Sequence, residues 1–155
     1  MSDLDAVAAA IRPATAASLA IWTSREQTEA EALAWLTPQI TRGTALVAER
    51  VDGEILGFAV ASAWQAYEGY ARTVEDSIYL SPAARGCGLG GRLLATLVEA
   101  AQRAGDRTMV AQIEASTTTS VRLHERAGFV VVGTIEAAGE KHGRVLDLVL
   151  MSRRL

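Results

Sequence analysis

The sequence predicts a single α/β domain of the α+β kind, and three observations carry that expectation. The chain has 155 residues, about one domain's worth and enough for a continuous core. Its hydrophobic period changes from helical spacing in the first 36 residues to strand-like alternation after Thr44, around an Asp52-Gly53 turn signal. In the middle of the chain a strand-like run, a glycine cluster and a helical run follow one another, the order expected of a strand feeding a helix through a tight loop.

Taken in order, Ser2 or Asp3 can cap a first helix through about Ile11, with Leu4, Val7 and Ala8 at helical spacing, until Arg12-Pro13 interrupts it. Residues 28–36 read as a second helix, with Leu33 and Leu36 on one face and Pro38 closing it. Residues 44–49 and 55–61 form the two arms of a hairpin. Trp64, Tyr67 and Tyr70 follow in a polar, glycine-containing connection, and residues 73–80 are strand-like until Ser81-Pro82. Leu89, Leu93, Leu97, Ala100, Ala101 and Ala104 repeat at helical spacing, with Gly105 a natural stop. A short strand is expected over 108–113, a helix over 120–127 ending at Gly128, and strands over 129–135 and 145–151.

Composition narrows the function. Half the residues are hydrophobic and 21% are charged, ordinary values for a globular protein. A net charge of −3 offers no electrostatic footprint for nucleic acid. One cysteine excludes an internal disulfide, and two histidines make a dedicated zinc site a poor expectation, so no metal is assigned. The first residues are acidic where a signal peptide would be basic, and no apolar run nears a membrane span. The expectation is a cytoplasmic protein without membrane contact.

The segment Arg85-Gly86-Cys87-Gly88-Leu89-Gly90-Gly91 supports two functional readings. Gly86, Gly88 and Gly91 satisfy the dinucleotide fingerprint, with Glu114 about 20 residues on, where a ribose-binding acid belongs. Position argues against it: a hairpin precedes the unit, and too little chain follows for a second βαβ half. Arg85, Gly88 and Gly90 also satisfy R-x-x-G-x-G, a loop for the pyrophosphate of coenzyme A. There the backbone N–H groups turn inward and a helix starting near Leu89 points its positive end at the phosphates. A tight strand-to-helix turn with no ligand is the plain alternative, and Cys87 reads as a small side chain within the loop.

Together with T73-V74-E75-D76-S77-I78-Y79-L80, S120-V121-R122-L123-H124-E125, G128-F129 and the ending G139-E140-K141-H142-G143-R144-V145-L146-D147, this loop resembles the GNAT superfamily of acyl-CoA N-acyltransferases. Within it, the chain is similar to the phosphinothricin N-acetyltransferase family. The resemblance covers most of residues 70–151 in order. It implies a mixed, mostly antiparallel sheet flanked by helices. The first 40 residues match weakly: either the usual first strand is missing, or it is displaced onto Ile11-Arg12-Pro13-Ala14-Thr15.

The resemblance implies acetyl-CoA as cofactor, a small primary amine such as an amino acid or analogue as acceptor, direct attack on the thioester, and a homodimer. It implies Glu75 as general base and His124 in the place of the residue that protonates the leaving thiolate. Ile78, Tyr79 and Leu80 then offer free backbone to the pantetheine arm, and Arg85 to Gly91 hold the pyrophosphate. Thr117, where an asparagine is usual, and Ser120 complete the cofactor site, while Trp64, Tyr67 and Tyr70 stand where the acceptor loop belongs. Read without the resemblance, Glu75 is equally an acid on a half-buried strand, His124 a helix-surface histidine and the aromatic loop a packing element. The loop lacks the family's arginines, which argues against capture of a phosphinate or carboxylate there; the resemblance also implies an acceptor pocket near the interface of two subunits, where Lys141 and Arg144 would help. A non-catalytic acyl-CoA-binding module and a nucleotide-dependent oxidoreductase are the rival functions.

Overall fold

The computed structural model describes residues 22, 23, 25 and 27–155. The helix expected up to Ile11 and the question of a missing or displaced first strand lie outside them. Among the described residues, helix α1 (Glu29–Arg42) leads into strands β1 (Ala45–Glu49), β2 (Ile55–Ala63) and β3 (Thr73–Leu80). Helix α2 (Leu89–Arg103), β4 (Thr108–Glu114), α3 (Thr118–Arg126), β5 (Val130–Lys141) and β6 (Arg144–Arg154) complete the fold. The strands form one sheet in the order β1-β2-β3-β4-β6-β5. Every neighbouring pair is antiparallel except β3–β4. No helix among the described residues is long and apolar enough to cross a membrane.

That topology overturns the dinucleotide reading, because the strand–glycine loop–helix–strand unit is embedded in an antiparallel sheet instead of opening a parallel one. Pro38 also behaves differently from expectation: α1 runs through it to Arg42. A proline inside a helix removes one backbone bond and crowds the preceding turn, at a cost of about 3 kcal/mol. Several interactions offset this. Thr28 and Glu31 form a complete capping box at the start. Around the proline, Thr37 Oγ1 donates to the Leu33 carbonyl at 2.7 Å and Thr41 Oγ1 to the Thr37 carbonyl at 3.0 Å. The Gln39 amide donates to the Trp35 carbonyl. Ala32, Leu36 and Gln39 are buried, so tertiary packing holds the last turns.

The alternation of β2 sorts its side chains onto two helical layers. Ala59 and Ala61 join Val74, Met109, Ala111, Ile113 and Met151 beneath Leu93, Leu94, Leu97 and Ala101 of α2. Phe58 and Val60 face the other way, with Leu36 of α1, Trp35 and Tyr79. Leucines 94 and 97 are fully buried, each contributing about 1.5–3 kcal/mol relative to exposure. A tight ion pair joins the layers at one end, where Arg42 Nη2 donates to both oxygens of the buried Asp106 carboxylate at 2.6 and 2.7 Å.

Candidate active site

The site begins where two strands part. β3 and β4 are in register only at Thr73↔Thr108, Val74↔Met109 and Glu75↔Val110. Beyond that point β3 stays with β2 as far as Gly57↔Leu80, while β4 stays with β6 as far as Glu114↔Leu148. Gly57 helps set this direction: a Cβ there would lie 2.4 Å from the Tyr79 carbonyl oxygen, so only glycine lets the two strands run this close. The edge of β3 from Asp76 to Leu80, which includes Ile78 and Tyr79, therefore faces β4 without pairing to it. Backbone donors and acceptors along such an edge are available to a ligand.

At the far end of that edge lies the glycine loop. Gly86 and Gly88 take φ of +79° and +80°, a left-handed backbone that turns successive N–H groups to one side. Gly88 is the N-cap of α2 and supplies no side-chain cap, so the N–H groups of Leu89, Gly90 and Gly91 precede the first helical bond, from Arg92 N–H to the Gly88 carbonyl. A Cβ on Gly86, Gly88 or Gly91 would meet nothing within 4 Å, which leaves open space over the loop. Gly90 has a different task. Its Cβ would press on Leu80 at 3.1 Å, so this glycine lets α2 sit close to the end of β3. Arg85 is exposed and its guanidinium reaches the Leu80 carbonyl at 3.5 Å. The thiol of Cys87 donates to the Ala84 carbonyl. An uncapped helix N-terminus with open space and an adjacent cation fits the pyrophosphate of coenzyme A.

Glu75 stands at the apex, on the last register before the strands separate. It is half-buried, and one carboxylate oxygen accepts from Gln112 Nε2 at 2.8 Å. Burial pushes its pKa up; the Gln112 hydrogen bond opposes that rise and the neighbouring Asp76 charge adds to it. Asp76 points to the opposite face of the sheet, where Oδ2 lies 3.0 Å from His124 Nε2. The other ring nitrogen, Nδ1, donates to the Ser120 carbonyl at 2.8 Å, and Phe129 meets the ring edge to face. His124 is only 2% exposed. Burial disfavours its charge, but the Asp76 hydrogen bond and charge, with Ser120, outweigh this and raise its pKa. The imidazole thus faces Asp76, with both nitrogens engaged, while Asp76 Oδ1 is buried with no partner among the described residues.

The aromatic connection caps the Glu75 end of β3. Trp64 N–H donates to the Thr73 carbonyl, closing the β2–β3 turn. Trp64 and Tyr70 pack edge to face with centroids 5.2 Å apart, whereas Tyr67 stands 74% exposed. The aromatic loop and the glycine loop therefore sit at opposite ends of the eight-residue β3, about 24 Å apart at about 3.4 Å per residue. At the start of α3 the Thr117 hydroxyl donates to Glu114 Oε2 at 3.1 Å, beside bonds from Ser116 N–H and its hydroxyl. Burial alone would raise the Glu114 pKa; these bonds and the Arg144 charge lower it. Glu114 is thus consumed in holding a turn, which removes the ribose-binding role it would need for a dinucleotide. Ser120 reaches the site through its carbonyl on His124. Lys141 is buried, its pKa lowered by that burial, while Arg144 is exposed.

Two participants are given no role by the sequence reading. Asp76 meets His124 across 48 positions and Gln112 meets Glu75 across 37. Gln112 had one visible mark, a polar residue inside the apolar run Met109-Val110-Ala111-Gln112-Ile113.

Comparisons with known proteins point to one family. The profile of the acetyltransferase (GNAT) family matches residues 14–129. The chain is 38% identical, over all of its length and 91% of the relative's, to an L-methionine sulfoximine/L-methionine sulfone acetyltransferase of Pseudomonas aeruginosa. It is 33% identical to an L-amino acid N-acyltransferase of Escherichia coli, covering 99% of this chain and 90% of that one. In structure it is similar to a GNAT superfamily phosphinothricin acetyltransferase of Sinorhizobium meliloti solved with acetyl-CoA. The TM-score is 0.92, at 37% identity over 99% of this chain and 83% of that one.

Proposed function

We infer the reaction from membership: the chain belongs to the acetyltransferase (GNAT) family and is an acyl-CoA-dependent N-acetyltransferase that uses acetyl-CoA. Its acceptor is the primary amine of a small amino-acid-like molecule, methionine sulfoximine and phosphinothricin being the acceptors named for its relatives. The observation that carries the mechanism is Glu75, a half-buried carboxylate at the apex of the cleft between β3 and β4.

When bound, acetyl-CoA supplies an acyl group activated as a thioester. The chain's own part starts with the acceptor, which is an ammonium ion at neutral pH and has no lone pair for attack. Glu75 takes that proton, directly or through a water, and its raised pKa brings it toward the range where a base both accepts and releases a proton. The free β3 edge at Ile78, Tyr79 and Leu80 offers N–H groups to the thioester carbonyl and to the arm behind it. Residues 85–91 hold the pyrophosphate, and Thr117 and Ser120, at the start of α3, complete the cofactor site. Attack is direct, since among the described residues no side chain at the apex is a poised nucleophile. His124 and Asp76 act from the opposite sheet face. For His124 to protonate the departing thiolate, its Asp76 bond must open first.

Trp64 and Tyr70 form the wall of the acceptor side, with Tyr67 at its rim. The proposal extends to one domain over residues 1–155, to a cytoplasmic setting and to a homodimer. Pairing is supported by exposed valines and an isoleucine along β5 and β6: Val130, Val131, Val132, Ile135 and Val145.

Thiol release from acetyl-CoA against a panel of phosphinothricin, methionine sulfoximine and ordinary amino acids tests the reading. Turnover is expected with one acceptor class and a loss of about 10²–10⁴-fold in Glu75→Gln. Coenzyme A binding without turnover on any amine would instead establish a non-catalytic acyl-CoA-binding module.

A further inference from the structure

We propose that Gln112 is the positioning residue of the base: it ties one oxygen of Glu75 across the mouth of the cleft and leaves the other to take the acceptor's proton. The inference rests on the reading of Glu75 as general base. Val110 is the last β4 residue in register with β3, opposite Glu75. Gln112 lies two residues further on, so it points to the same face of the sheet as Val110. There the backbones have already parted, and the 2.8 Å bond from Gln112 Nε2 to Glu75 Oε2 links the strands through side chains instead.

The direction of that bond is set by chemistry. An ionised carboxylate only accepts, so the amide nitrogen of Gln112 must face it. Glu75 Oε1 accepts no hydrogen bond from the described side chains. An untethered glutamate would spread over several rotamers, whereas one oxygen held by Gln112 fixes where the other points. In the proton transfer, an N–H bond of the acceptor ammonium breaks, an O–H bond forms at Oε1, and the nitrogen keeps the electron pair.

Gln112 also acts on when Glu75 ionises. On β2 the register partner of Glu75 is Ser62, and on β4 its neighbours are Val110 and Gln112, all uncharged. The charge acting on it is Asp76, from the adjacent position on the other face, and that charge favours the protonated form, as burial does. The Gln112 donor favours the carboxylate, and so keeps the base in its proton-accepting form at lower pH.

The test is the pH dependence of kcat/KM in the wild type, Gln112→Met, Gln112→Glu and Glu75→Gln, with a parallel carbon-13 NMR titration of Glu75. Gln112 is exposed, so the variants are expected to fold, and thermal midpoints verify that they do. Gln112→Met keeps the length and removes the donor. Its acidic limb and the Glu75 titration should both move up by about one pH unit, with activity recovering above the new limb. Gln112→Glu sets a second carboxylate against the first and should move both further. A limb lost in Glu75→Gln but unmoved in both Gln112 variants overturns the inference alone. A limb that survives Glu75→Gln belongs to another group; it overturns the base assignment, and the inference falls with its premise.

Discussion

Replacing Asp76 should change stability in a way that depends on what replaces it and on pH. In the native pair, His124 Nδ1 donates to the Ser120 carbonyl, so a proton on Nε2 makes the ring an imidazolium facing the Asp76 carboxylate at 3.0 Å, both side chains 2% exposed. Removing one member of a buried pair costs about 3–5 kcal/mol, because the other is left buried and unpaired. Asp76→Ala should lose that much in urea unfolding at pH 6. Asp76→Asn is gentler, since its amide can donate to a neutral Nε2 and leaves every polar atom of the ring satisfied; a loss of about 1–2 kcal/mol is expected at pH 6.

The two pH regimes separate the charge from the hydrogen bond. The folded-state pKa of His124 is raised, so its contribution is fully present below the unfolded value near 6.5 and is lost as pH rises through the folded pKa. Above it, an Nε2 lone pair would face a carboxylate. The gap between wild type and Asp76→Asn should therefore narrow from pH 6 to pH 9. A loss under about 1 kcal/mol in Asp76→Ala, or a wild type–Asp76→Asn gap that is the same at both pH values, would refute the argument.

Two glycine substitutions probe other parts of the structure. Gly88→Ala places a Cβ at φ +80°, where strain amounts to about 1–2 kcal/mol although the space is open. Thermal melts should show that loss, and KM for acetyl-CoA should rise about tenfold while kcat at saturation changes less. Gly139→Ala sets a Cβ 2.5 Å from the Trp22 ring, so the indole must move. A loss of about 1–3 kcal/mol and a red-shifted tryptophan emission are expected, and in a Trp22→Ala background the penalty should vanish.

Much of the fold was legible because it is local. The β3 boundaries, the Asp52-Gly53 turn and the stop at Gly105 follow from period and turn chemistry, and they stand as read. Where the reading failed, tertiary packing outweighed a local rule. Pro38 marks a helix end by its own stereochemistry, yet the buried Leu36 and Gln39 hold α1 together across it. The glycine loop was found from spacing, but spacing could not divide its labour. Gly86 and Gly88 bend the backbone, Gly91 leaves open space, and Gly90 admits Leu80 of a neighbouring strand.

The sequence by itself determined the order of elements, the glycine loop before a helix, and an acid in an apolar strand. Those features are written in residues a few positions apart, within reach of turn geometry and side-chain period. Only the tertiary structure decided that β3 and β4 part just after Glu75, that Gln112 bridges the opening, and that His124 turns to Asp76 on the far face of the sheet. Each of these depends on register between strands or on the packing of a helix over a sheet. Such contacts join residues dozens of positions apart, and no pattern along the chain encodes them.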